Sequence, residues 1–424
     1  MKKTIIAYNA RGIPTEKEIN YIPFRYILAI LITVAETGAV VGIVIALMYI
    51  PYFSIAVLLT QIFVLLNIIN SNDNPDYKIP WLMVVLLIPV AGFMIYFMYY
   101  SRNLPKKFIK RIDELNDVKI KDDTEEFALL EQTDILAYRQ ALQICRTSNT
   151  HLYKNTRTTY FEIGEKMHSA MLEDLKSAEK FIFMEYFIIE EGVFWNSILD
   201  ILKEKVNEGV EVKVVYDDIG CMSTLPGDYY KQLGNMGIRA VPFSRLRGQA
   251  NNEFNNRSHR KIMVIDGKIG YTGGINIADE YINRRERFGH WKDTGIRLQG
   301  EAVVEMTKMF ITDYSLNFRK YNEPSQQYYT SESCKDNGFV IPFGSGPKPI
   351  YDKEVGKAVI MNMLNQAKRY VYITTPYLII DNELCQAIEN AAIYPRHRCE
   401  DHNTRHSRQK NNFRNDQKQL PPIY

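Results

Sequence analysis

Between residues 26 and 100 the sequence is almost continuously apolar, whereas 101–424 has the mixed composition of an ordinary α/β chain. The apolar part falls into stretches at 26–50, 52–69 and 81–100, which are 25, 18 and 20 residues long. As helices rising ~1.5 Å per residue they would extend about 27–37 Å, matching a hydrocarbon core of ~30 Å. Tyr49, Tyr52, Trp81, Tyr99 and Tyr100 gather at their edges, where amphipathic rings suit a membrane interface. The 25 mixed residues ahead of the first stretch do not suit a cleavable signal peptide. Residues 1–100 are therefore expected to be a membrane anchor of two to three transmembrane helices. Glu36 lies inside the first stretch and is expected to face another helix or be protonated, because an ion in hydrocarbon is costly. Lys2, Lys3, Arg11, Lys17 and Arg25 flank one end, and Arg102, Lys106, Lys107, Lys110 and Arg111 the other. A positive-inside bias puts both flanks on one side, which three full crossings forbid. The stretch 52–69, with Gln61 and Asn67, is the candidate for an incomplete crossing.

The remainder carries little net charge: 52 Lys+Arg against 49 Asp+Glu give +3 over the chain. That balance rules out an acidic or poly-basic disordered tail protein, and the membrane anchor argues against a nuclease, whose substrate would favour a strongly basic face. Cys145, Cys221, Cys334, Cys385 and Cys399 are widely spaced with no C-x-x-C pair, so neither a disulfide framework nor a zinc site is expected. Residues 101–150 read as a charged helical connector. Beyond it helix and strand patterns alternate, with helices at 164–178 and 193–208 and strands at 180–189, 210–217 and 238–243. Such alternation predicts an α/β sheet.

The pattern recurs. AEKFIFMEYFII (178–189) resembles AKRYVYITTPYLII (367–380), and each is preceded and followed by a helical stretch. Two homologous halves follow from this, 151–325 and a second beginning at 326. In the first half the next segment is the core strand from Gly209. In the second, Ala392 is followed by IYPRHRCEDHNTRHSRQKNNFRNDQKQLPPIY, which has almost no apolar periodicity. No strand is expected there. Codons compatible with residues 395–406, read one base on, spell RGIDVRIITPG, a strand-like segment where the repeat calls for one. The expectation is thus a second half confined to 326–392 and an out-of-frame, disordered tail over 393–424.

The chemistry concentrates in RSHRKIMVID (257–266), an H-x-K-x4-D pattern of His259, Lys261 and Asp266, followed by Gly273, Gly274 and Asn276. In a strand, residues two apart share a face, so His259 and Lys261 can enter one pocket. A lysine supplies a compact charge for a phosphate oxygen, and an imidazole can attack phosphorus or pass a proton near neutrality. Asp266 is expected to orient an imidazole and Asn276 to donate to a phosphoryl oxygen. Gly273 and Gly274 permit close backbone approach. Glu185 on the preceding strand is placed near the pocket. Arg284, Arg285, Arg287 and His290 form a basic turn that could meet lipid headgroups.

With NNRSHRKIMVIDGKIGYTGGINIADEY (255–281), HWKDTGIRLQGEAV (290–303), EYFIIEEG (185–192) and NPDYKIPWLMVVLLIPVAGF (74–93), the chain resembles the phospholipase D superfamily, and more closely the bacterial cardiolipin synthases. The resemblance covers about 20–392; Ser258 stands where Asn is usual. It implies an α/β fold, N-terminal transmembrane helices followed by a phospholipase D-type α/β/α sandwich with its first half complete and its second truncated. It implies phosphatidyl transfer between two phosphatidylglycerols to give cardiolipin and glycerol through a phosphohistidine. Catalytic residues would be His259, Lys261 and Asp266, with substrate bound by Asn276, Gly274 and Glu185. No metal and no cofactor is expected. The implied partners are phosphatidylglycerol and cardiolipin in the bacterial cytoplasmic membrane, with association with a full-length relative also open and no nucleic acid. The family carries a second H-x-K-x4-D motif that these 424 residues do not, so the chain alone is expected to be inactive. A phospholipase D-type hydrolase and a non-catalytic membrane pseudoenzyme remain alternatives at this point.

Overall fold

A computed structural model of the chain describes residues 2–8, 14–20, 24–47, 49, 52–88, 90–99, 109–110, 112, 121–245, 257–318, 325–346, 351, 354–393 and 398–401. It divides into two compact units. One comprises 1–102, 216–229 and 242–258, the other the remaining residues.

In the first unit a hairpin of β1 (Lys2–Tyr8) and β2 (Pro14–Asn20) precedes four helices, α1 (Phe24–Leu47), α2 (Phe53–Asn70), α3 (Pro75–Leu87) and α4 (Ala91–Tyr99). The third apolar stretch is therefore two short helices and not one span. The sequence supplies the reason. Pro89 has no N–H, so the Val85 carbonyl four residues earlier lacks its helical donor. Gln61 of α2 provides a substitute: its Nε2 donates to Val85 O at 2.8 Å and to Leu86 O at 3.4 Å. Gly92 allows the second helix to restart close by, since a Cβ there would lie 2.4 Å from Val84 O. At ~1.5 Å per residue, 13 and 9 residues reach only about 20 and 14 Å. Val64, Ile68, Val85 and Tyr96 are buried between α2, α3 and α4, with Trp81 edge-on to Tyr96 at 5.7 Å. Counted over the residues whose side chains are described, no helix is long and apolar enough to cross a membrane. The side chain of Glu36 lies outside the described residues, as do 100–108, which include the Arg102, Lys106 and Lys107 flank.

The connector folds as two helices, α5 (Thr124–Thr133) and α6 (Ile135–Ser148), the second capped by Asp134, which accepts from Leu136 N and Ala137 N at 3.0 Å each. Then come β3 (Thr156–Phe161), α7 (Gly164–Lys176), β4 (Phe181–Tyr186), α8 (Val193–Asn207), β5 (Glu211–Asp217), α9 (Tyr229–Asn235) and β6 (Arg239–Phe243). They continue with β7 (Lys261–Ile265), β8 (Ile269–Gly273), β9 (Gly295–Gly300) and α10 (Val303–Leu316). The order matches the alternation in the sequence. Helix α8 stops where Gly209 adopts φ +91°, a left-handed turn that returns Val210 N to Lys205 O.

Seven strands form one sheet in the order β3-β9-β8-β7-β4-β5-β6. The pairs β3–β9, β9–β8, β8–β7 and β7–β4 are antiparallel, with Tyr186 opposite Lys261 and Glu185 opposite Ile262. All five residues of β7 are buried, as expected of a strand covered on both faces. On one face α10 packs down: Phe310 stacks on Phe183 at 4.7 Å, and a Cβ on Gly270 would lie 2.6 Å from Met306 Sδ. On the other, Met167 of α7 lies over Gly295, where a Cβ would come within 2.2 Å of its sulfur. The layering is α/β/α.

After the sheet come α11 (Val355–Gln366), β10 (Tyr370–Ile373), α12 (Asn382–Ile393) and β11 (Arg398–Asp401). The expected helix–strand–helix repeat is present, with the strand shortened to four residues. The structure differs from the sequence reading at β11, which pairs parallel with β10, Tyr370 opposite Arg398, where no strand is expected. Backbone groups alone make that ladder, so it needs no apolar side chains over four residues. Residues 394–397 and 402–424 lie outside the described residues, and with them most of the expected tail.

Asp266 joins the two central strands. It takes φ +53° and Gly267 φ +69°, the pair of positive values that a type I′ Asp-Gly turn requires, with Lys268 N closing on Ile265 O. Its carboxylate then accepts from Glu179, Lys180 and Phe181 N, all at 2.8 Å, at the start of β4. Replacing Asp266 with Ala leaves three backbone donors without this acceptor. Each costs on the order of 1 kcal/mol or more, so a loss of about 3 kcal/mol is expected in urea denaturation. A loss under about 1 kcal/mol would show that other groups hold the start of β4.

Candidate functional site

His259 lies just ahead of β7 and Lys261 is its first residue. They meet as their spacing predicts: Lys261 Nζ stands 3.2 Å from His259 Nδ1 and donates to His259 O at 2.8 Å. Phe187, just past β4, packs its ring 4.7 Å from the imidazole and 5.6 Å from the ammonium. His259 is exposed and Lys261 is buried. Partial desolvation of the ring, followed by the nearby Lys261 charge, holds the His259 pKa below the ordinary imidazole value. Burial lowers Lys261 from 10.5 to about 8, partly opposed by Asp293. Near neutrality the site therefore holds a neutral imidazole beside a cation. A charged ammonium can only donate, so Nδ1 accepts and the ring proton sits on Nε2.

Gly274 lies against Asp293, where a Cβ would stand 2.1 Å from its Oδ1. Asp293 accepts from Thr294 N at 2.8 Å, and burial raises its pKa, partly offset by Lys261. Gly273 is equally constrained: a Cβ would meet Thr294 O at 2.4 Å. The two glycines thus let the strand–turn backbone close on the Asp293 carboxylate, whose charge favours the Lys261 ammonium.

Three sequence expectations are corrected. Asp266 does not orient the imidazole. Seven positions along an extended strand, at ~3.3 Å each, put it roughly 20 Å from His259, with its carboxylate spent on the backbone of 179–181. Glu185 does not share the Lys261 face. It pairs with Ile262, is buried, and acts on Arg260. Asn276 is buried and serves as a brace, its Oδ1 accepting from Ile188 N at 3.1 Å and its Nδ2 donating to Tyr281 Oη at 2.9 Å.

The basic turn is largely neutralised. Arg285 forks onto both oxygens of Glu190 at 2.7 Å and also reaches Glu280, and Arg287 meets Glu280 at 2.7 Å. Ahead of the motif, Arg257 donates from Nε to buried Asp217 at 3.0 Å and from Nη2 to Phe243 O and Ser244 O. Asp217 also accepts from Ser258 N at 3.1 Å. Asp217 thus holds the residue that precedes His259. Phe187 is a site residue that the sequence does not single out, and Asp293, which reads with Trp291 as the start of a core strand, is a second one. The signal for Phe187 was its place at the end of a strand that pairs with the motif.

The family model described as "Cardiolipin synthase, PLD-like domain" matches residues 171–310, which span β4 to β9, and "Phospholipase_D-nuclease N-terminal" matches 60–98. An uncharacterized protein of Streptococcus mutans serotype c is 41% identical over 331 residues, covering 77% of this chain and 71% of that one. A cardiolipin synthase of Oceanobacillus iheyensis is 33% identical over 332 residues, covering 76% and 68% respectively. Among solved structures, a phosphatidylserine synthase of Haemophilus influenzae is similar at 17% identity and TM-score 0.42, over 59% of this chain and 62% of that one. The chain carries a phospholipase D-like domain. It belongs to the cardiolipin synthase family.

Lys261 gives a pH test of the site that needs no substrate. Between about 8 and 10.5 the unfolded chain keeps a proton that the folded chain has shed, so stability rises with pH across that window. Below about 8 the cost of burying the charge is present in full. Lys261→Met should raise the unfolding free energy near neutrality, and the gain should shrink toward pH 10.5. A gain that stays constant over that window would show that Lys261 pays no burial penalty.

Proposed function

We propose that the chain is a cardiolipin-synthase-like phosphatidyltransferase, moving a phosphatidyl group between two phosphatidylglycerols to give cardiolipin and glycerol. The observation that carries this is the His259–Lys261 pair, a neutral imidazole 3.2 Å from an ammonium beside Gly274 and Asp293, in a chain of this family. An imidazole attacks the phosphorus of the first lipid; the P–N bond forms, the P–O bond to glycerol breaks, and the glycerol oxygen takes a proton from a second imidazole. The hydroxyl of a second phosphatidylglycerol then attacks; its proton returns to that imidazole as P–O forms and P–N breaks. Lys261 offsets phosphate charge throughout. His259 supplies one of the two imidazoles. These 424 residues hold the motif once, so this scheme takes the other from outside them. Asp266 and Asn276 serve as braces, and no step uses a metal or cofactor.

The anchor reading is part of the same proposal. Ile30, Leu31 and Val34 of α1, Leu58, Leu59 and Phe63 of α2, and Leu86 and Leu87 of α3 are all more than half exposed. Apolar surface on that scale calls for an apolar surrounding, and a bilayer that holds both lipids supplies it. The chain would then sit in the bacterial cytoplasmic membrane.

Radiolabelled phosphatidylglycerol presented to the full chain mixed with a two-motif relative, whose own first-motif histidine is replaced so that it supplies only the second imidazole, tests the transfer. Cardiolipin and glycerol are expected, with His259→Ala lowering the rate by about 10³-fold or more. Phosphatidic acid without cardiolipin would replace transfer by hydrolysis, and substantial activity in His259→Ala would remove His259 from the mechanism. Flotation with phosphatidylglycerol vesicles tests the anchor: the chain should rise with the vesicles, and deletion of 1–100 should leave it at the bottom.

A further inference from the structure

Arg260 stands between His259 and Lys261 in sequence and faces the other way. Alternation puts it on the face of Ile262 and Glu185, under α10. Its Nη1 donates to Asp313 Oδ2 of α10 at 2.6 Å, and Glu185 and Tyr351 add to the field that holds its charge. The guanidinium also hydrogen-bonds the Tyr351 hydroxyl. Gly344 closes over both: a Cβ there would lie 3.1 Å from Arg260 Nη2 and 3.3 Å from Tyr351 Oη. One planar fork thus engages an acid from α10 and a phenol from the segment that leads into α11. Residues 257–260 precede the sheet ladder, so no strand pairing fixes the backbone at His259. The side chain of Arg260 is what fastens that backbone to the α10 side.

We propose that Arg260 is a positioning residue that ties the His259–Lys261 strand end to Gly344 and Tyr351, so that these contacts set where the His259 ring stands. The proposal rests on His259 as the reacting group, but its geometry can be read without turnover. A role confined to neutralising Asp313 would change stability and leave the His259 ring where it is.

The test uses the full chain in wild-type form and as Arg260→Gln, Arg260→Lys and Tyr351→Phe. Two rates are measured: carbethoxylation of His259 by diethyl pyrocarbonate, read by peptide mass spectrometry with exposed His290 as internal reference, and amide hydrogen exchange over 339–346. Arg260→Gln should speed exchange there about tenfold and change the His259 rate at least ~threefold relative to His290, because the joint opens locally without global unfolding. The Lys and Phe variants, which keep the charge or the ring, should move both rates the same way by less. An Arg260→Gln chain that is folded but leaves the His259 rate unchanged overturns the proposal. If that variant does not fold, unchanged rates in both Arg260→Lys and Tyr351→Phe overturn it. Transfer that survives in His259→Ala would instead count against His259 as the reacting group, and the two rates would still decide whether Arg260 positions it.

Discussion

The burial of a lysine ammonium beside an imidazole is the constraint around which the central sheet is arranged. Lys261 lies on a strand with every residue buried, and an isolated cation there is costly. The structure meets that cost locally: the His259 carbonyl and Nδ1 accept from the ammonium, the Phe187 ring lies near it, and the Asp293 charge favours it. The compensation is incomplete, which is why the group titrates near 8. A cation held in that partly desolvated state interacts more strongly with an anion than it would in water. The glycines at 273 and 274 follow from the same need, since any side chain there would displace the backbone or the Asp293 carboxylate.

Strand alternation then separates tasks that are adjacent in sequence. His259 and Lys261 share one face, and Arg260 reaches to the other, where Asp313, Glu185 and Tyr351 surround it. Two carboxylates and one guanidinium in a mostly buried site form a set in which removing the cation strands both acids. The reacting side of the strand end can therefore keep its hydrogen-bonding capacity, because its anchoring is done on the reverse side.

Much of this was legible in the sequence. The order of helices and strands from 164 to 265 follows from apolar periodicity, and the H-x-K spacing by itself places His259 and Lys261 together. The motif also suggested a role for Asp266 that the structure reassigns. Spacing along a strand shows which face a residue takes, but not that five buried positions carry Asp266 to the opposite end. Glu185 was misplaced for a related reason: its face depends on which residue of β7 it opposes, and register is a tertiary fact. The third apolar stretch read as one span because hydropathy averages over Pro89. What the average hides is an unmatched carbonyl, and Gln61, read as a polar flaw in its own stretch, turns out to serve it. Phe187 is not singled out by the sequence, and Asp293 reads only as the start of a strand, because nothing local distinguishes an aromatic or acid that meets a motif only through folding.

The Asp266 turn also bears on the order in which the sheet assembles. The β7–β8 hairpin closes through a turn of three residues and needs no distant partner. The β4–β7 pair joins positions 75 apart, from 186 to 261, and must meet a far larger loop-closure entropy. A hairpin that forms first presents the Asp266 carboxylate at its tip, already aimed at the N–H groups of 179–181. The same side chain that shapes the local turn is then the landing point for the distant strand. This gives the slow, long-range step of folding a specific polar contact on which to end.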